Sequence, residues 1–148
     1  MPENLENQDD AHAITGVATS IAAFIGFFKE GPTNTAVLIS SMGEFESQFG
    51  GLDAQSEASY GIQQFFLNGG TEAWVVRVAG GIDGQPDAAA IIGDLESKTG
   101  IYALEDVDLF NLLCIPDAAN ASDQIGEPTP AASYAVLREA ENYCEKRR

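Results

Sequence analysis

Residues 59–78 constrain the fold more than any other part of this chain, because they spell out a helix, its stop and a buried strand with almost no linker between them. Ser56 is placed to cap the helix, and Tyr60, Ile62, Phe65 and Phe66 give it an apolar stripe of helical period. Asn68, Gly69 and Gly70 tolerate positive φ and end it. The run 73–78 holds Trp74, Val75, Val76 and Val78 with Arg77 as its only charge, which is too short for an ordinary helix and suits a strand covered on one or both faces. Arg77 has two readings. It sits at an edge or partly exposed position with its stem packed and its head reaching water, or it makes a buried or interfacial ion pair with an acidic group.

The same alternation of strand and helix continues on both sides. Residues 19–28 read as a buried strand closed by a loop at 29–34, and 36–39 as a second short strand. Ser41 and Glu44 have capping-box spacing ahead of a short helix with Phe45 and Phe49 on one face, stopped by Gly50 and Gly51. Residues 79–87 form a turn-rich connector, after which helical character returns over 88–98. The nearly continuous apolar run 109–115, closed by Pro116, predicts a central parallel strand buried on both faces. A last helix spans 132–146, with Val136, Leu137, Ala140, Tyr143 and Cys144 spaced for a core face. Together these predict an α/β fold: a largely parallel mixed sheet flanked by helices, forming one compact domain over 16–148 behind a flexible acidic arm at 1–15. The last helix meets no return strand before the chain stops, so the sequence reads as an incomplete piece of a larger protein.

Charge and side-chain inventory then exclude most chemistry. A formal net charge of -16, from 23 acidic and 7 basic residues, repels both a phosphate backbone and an anionic membrane, so nucleic acid is not an expected partner. The acidic first ten residues are unlike a secretory signal, and no apolar stretch reaches the length of a membrane span. Cys114 and Cys144 are far apart and read as buried, inert thiols of a cytosolic protein. His12 is the only histidine and lies in the polar arm, which leaves a nucleophile without a base and a zinc site without ligands. Glu105, Asp106 and Asp108 have the chemistry to hold a hard cation, but their place just ahead of a strand reads better as a solvated loop. The glycine pairs at 50–51, 69–70 and 80–81 lack dinucleotide-binding spacing, and no phosphate-loop or nucleophile-elbow motif occurs. No catalytic, cofactor-binding or metal-binding residue is therefore expected.

Four blocks carry a family resemblance. Gly16-Val17-Ala18-Thr19-Ser20-Ile21-Ala22-Ala23-Phe24-Ile25-Gly26 is followed by Phe45-Glu46-Ser47-Gln48-Phe49-Gly50-Gly51. Phe65-Phe66-Leu67-Asn68-Gly69-Gly70 with Ala73-Trp74-Val75-Val76-Arg77-Val78 makes the third, and the stretch from Gly100 to Pro116 the fourth. In this order they resemble the tail sheath proteins of contractile phage tails and related contractile injection systems. The resemblance implies a structural, non-catalytic subunit that polymerises as stacked rings around an inner tube and then contracts to drive that tube through a target envelope. It implies as partners other sheath subunits in a helical homopolymer, the inner tube protein, and baseplate and terminator proteins, with neither nucleic acid nor membrane insertion. Assembly would occur in the cytoplasm, into a phage tail or an extracellular particle, and subunits would be linked by terminal arms that add strands to a neighbour's sheet.

Three departures stand beside it. Residues 1–13 lack the apolar alternation of the family's N-terminal arm, residues 79–87 stand where many members carry an extra β-rich domain, and the family's C-terminal part has no counterpart up to Arg148. Copies carrying -16 each also resist stacking, which calls for compensating basic surface from the rest of the protein, the tube or the baseplate. The alternative reading is a small α/β ligand- or nucleotide-binding domain of flavodoxin-like type, with a cleft at the carboxyl ends of its strands.

Overall fold

The computed structural model describes residues 20–80, 84, 86–123 and 127–147. The acidic arm at 1–15, His12, the first residues of the sheath-like domain at 16–19, and part of the 79–87 connector lie outside the described residues. The elements run β1 (Ala22–Gly26), β2 (Ala36–Ile39), α1 (Met42–Phe49), α2 (Glu57–Leu67), β3 (Ala73–Arg77), α3 (Ala88–Ile92), β4 (Leu112–Cys114) and α4 (Pro130–Lys146). Two 3-10 segments, Gly100–Asp106 and Pro116–Asn120, flank β4.

The sheet order is β2-β3-β1-β4. β1 pairs in parallel with β3 on one side and β4 on the other, while β2 runs antiparallel to β3. This is the expected α/β architecture, a mixed and mostly parallel sheet with helices on both faces.

Side chains alternate across that sheet, and each face builds its own core. Phe24 and Val75 point to the layer of α1 and α2, where Phe28, Phe45, Phe49 and Ile62 are fully buried. Phe28 meets Phe45 and Phe49 edge-on, and the last two stack on each other. Ile25 and Val76 point the other way, to Ile91, Ile101, Leu104, Val136 and Tyr143. Every residue of β1 is buried, so β1 is the strand covered on both faces and joined on both edges.

Local signals explain the helix ends. Ser41 Oγ accepts from Glu44 N at 3.2 Å, while the Glu44 carboxylate accepts from Ser40 N at 2.7 Å, one residue beyond the usual capping-box partner. Ser56 Oγ accepts from Ser59 N at 3.1 Å, fixing the start of α2. At its end Gly69 takes φ +94 and Gly70 N donates to Phe65 O at 2.9 Å.

Four expectations need correction. The apolar run 109–115 is not the central strand: β4 covers only Leu112–Cys114 and lies at the edge, with Leu109 47% and Leu112 49% exposed. An uninterrupted apolar run marks a strand packed against helices, but only pairing decides which strand is central. The helix expected over 88–98 stops at Ile92, because Gly93 at φ +68 backs so closely onto the Thr99 carbonyl that a Cβ there would lie 2.0 Å from its oxygen. On α4 the core face is narrower than expected: Val136 and Tyr143 are buried, but Leu137 is 54% exposed and Cys144 is exposed. Cys114 is half-buried and Cys144 lies at the surface, so neither is a fully buried core thiol.

Candidate functional site

In parallel α/β sheets ligands enter at the carboxyl ends of the strands, and here those ends are Gly26, Arg77 and Cys114. Beside Gly26 the protein itself fills that crevice. Asp117, fully buried just after β4, accepts from Phe27 N at 2.8 Å through one oxygen and from Ala58 N at 3.1 Å through the other. It thereby ties the exit of β1 to the first turn of α2, where a negative charge is favoured by the exposed amides. Burial pushes its carboxyl up from the ordinary carboxylate range, while the backbone donors, Phe27 foremost, pull the other way. Gly26 shows how close the packing is: a Cβ there would lie 2.3 Å from Ala58 Cβ and 2.6 Å from the Asp117 carboxylate.

Arg77 ends the neighbouring strand and is half-buried, as the partly exposed reading has it, but it lies on an interior strand and its head is held by backbone. Its guanidinium donates to three backbone carbonyls, Phe28 and Gly31 at 2.8 Å each and Lys29 at 3.2 Å. The rigid fork of N–H donors holds the loop after β1 in place, with the loop's own backbone as its counter-dipole. The expected ion pair with an acidic group is replaced by these carbonyl contacts.

A second arginine does the same at the far end of the sheet. Arg147 donates to the carbonyls of Leu104 and Val107 and to the Tyr143 hydroxyl, and its guanidinium lies 4.9 Å from the Phe110 ring centroid. Nearby Tyr102 donates to the Glu139 carboxylate, and that hydrogen bond, with burial, pushes the Tyr102 hydroxyl up to about 12. These contacts fasten α4 to the segment before β4, so they read as structural fastenings of the fold.

The acidic group does not gather into a site. Glu105, Asp106 and Asp108 are all exposed, Asp106 pairs with Lys98, and no three potential ligands converge among the described residues. Among those residues no helix is long and apolar enough to cross a membrane.

What the sheet does offer is its β4 edge. Leu112 and Cys114 with Phe24 and Phe65 line a groove of about 540 Å³ on the α2 side. Leu113 and Ile115 with Leu137 and Ala140 line a smaller one of about 250 Å³ on the α4 side. Among the described residues no strand pairs with the outer edge of β4.

No protein-family model matches this chain, and no curated protein matches it.

Sequence reasoning missed Asp117, Asn34 and Arg147. Asp117 acts on a helix 59 residues away, which no local spacing announces. Asn34 adopts φ +53 and its side-chain oxygen accepts from Gly100 N at 2.9 Å, and its position in a loop was the only available signal.

Proposed function

We propose that this chain is a structural, non-catalytic subunit of a contractile tail sheath, polymerising with its own copies around an inner tube and working with baseplate and terminator proteins. The observation that carries the reading is the contrast between the two borders of the sheet. The carboxyl border, where an α/β enzyme would hold its ligand, is closed by Asp117 and α2, while the β4 edge is apolar and unpaired among the described residues. Function at such a surface needs no catalytic group. The family resemblance of the four blocks supplies the kind of assembly. Three of them contribute β1, β3 and β4, which lie side by side, and the α1 block packs on the same sheet.

The test is direct. Negative-stain electron microscopy of the protein with its co-expressed inner tube should show tubular polymers of stacked rings, while the 148-residue chain alone should sediment as a monomer. A thermal-shift screen with nucleotides and flavins should move the melting point by less than about 1 °C, since a ligand held well above its Kd stabilises the fold by several times more. A clear shift would replace the sheath reading with the ligand-binding one.

A further inference from the structure

The distribution of charge in the fold says something about the solution in which it works. With 23 acidic and 7 basic residues the chain is unbalanced, and folding leaves that imbalance at the surface, since Asp117 is the one charged side chain buried among the described residues. Of the basic residues described, Arg77 and Arg147 aim their guanidinium groups at backbone carbonyls and Lys29 donates to the Leu52 carbonyl. Lys98 makes the one ion pair between described residues, with Asp106. Arg138 and Lys146 remain, both exposed on α4 and outnumbered there by Glu139, Glu141 and Glu145. Three of the described cations hold backbone carbonyls, while every described carboxylate but Asp117 is at least partly exposed.

Such a surface repels itself at low ionic strength, because the Debye length is still roughly 10 Å at 0.1 M salt. At about 1 M it shrinks to about 3 Å and the repulsion is confined to direct neighbours. A discrete cation site is not the remedy, since no three ligands converge among the described residues. We infer that this protein is built for concentrated monovalent salt, its folded state stabilised by a diffuse layer of potassium or sodium ions over its carboxylate surface. The inference does not rest on the sheath reading but bears on it. In such salt, copies carrying -16 each can stack without a compensating basic surface.

Thermal unfolding followed by circular dichroism in about 0.1 M and about 2 M KCl tests this, using the chain and a variant with Glu30, Glu46, Glu96, Glu127, Glu141 and Glu145 changed to Gln. The parent midpoint should rise by about 10 °C or more between the two salts, or the parent should fold only in the higher one. The variant should melt higher than the parent in low salt and respond less than half as strongly to KCl. A parent shift below about 3 °C overturns the proposal. So does a variant shift equal to the parent's, which marks a general effect of salt on apolar burial. Should the sextuple variant not fold, the triple Glu96→Gln, Glu127→Gln, Glu145→Gln variant is judged by the same comparison.

Discussion

At the scale of single residues, a half-buried arginine and a buried carboxyl group hold the backbone where the strands end, and both act on main-chain atoms. Replacing Arg77 with Lys keeps the charge but substitutes a point donor for a fork, so contact with most of the three carbonyls is lost. The expected cost is about 2 kcal/mol in urea unfolding, and an unchanged midpoint would show that the loop holds itself. Asp117→Asn should also destabilise, by about 2 kcal/mol, because both oxygens accept from backbone amides and an amide NH2 turned toward either one leaves a donor unpaired. The pH dependence has a definite sign. Burial raises the folded-state pKa of Asp117, so the folded chain binds its proton more readily than the unfolded chain does. That contribution is fully present below the unfolded value and is lost as pH rises through the folded one. The stability of the parent minus that of Asp117→Asn should therefore grow on acidification through this window, as measured by denaturant titrations at stepped pH. A difference that shrinks would mean the carboxylate, and not the acid, is the form the fold prefers.

At the scale of elements, the contact between β1 and α2 is the one with least room. Gly26→Ala should cost about 3 kcal/mol, since its Cβ would run into Ala58 and the Asp117 carboxylate and neither can move without shifting a helix or a strand end. Gly43→Ala on α1 is the matching control. The nearest atom to its Cβ would be Ser41 Oγ at 3.8 Å, so the better helix former should be neutral or add up to about 1 kcal/mol. Equal effects from the two would mean that β1 and α2 are not in close contact. At the opposite border, Leu112→Lys places a charge on the exposed edge of β4. On the sheath reading it should block polymer formation in electron micrographs and leave the melting point of the isolated chain within about 2 °C, since charged side chains on an edge strand deter added strands without disturbing the core. Polymers of normal yield would move the contact away from β4.

At the scale of the whole molecule, one sheet separates two apolar layers and a largely acidic surface encloses both. The layers divide by strand alternation: Phe24 and Val75 face α1 and α2, Ile25 and Val76 face α3 and α4. The charge belongs to the assembly as much as to the subunit. If molar salt is the working condition, polymer yield should follow the same KCl dependence as the melting point, measured by pelleting across a salt series. Polymers that form equally well in about 0.05 M salt would place the compensating charge on a partner.

Much of this was legible in the chain itself. The caps at Ser41 and Ser56, the glycine stops after Phe49 and Leu67, the strands around Phe24 and Val75 and the α/β class all follow from neighbours within a few residues, because capping, positive φ and side-chain period are local physics. What the sequence could not decide was pairing. The apolar run before Pro116 looks central by composition, yet it is β1 and β3 that have neighbours on both sides and β4 that is left at the edge. Nor could it reveal that Arg77 meets carbonyls in place of an acid, or that Asp117 closes a helix 59 residues away. Those outcomes depend on which distant backbone groups the folded sheet brings within 3 Å or so, a question of through-space geometry that no spacing along the chain records.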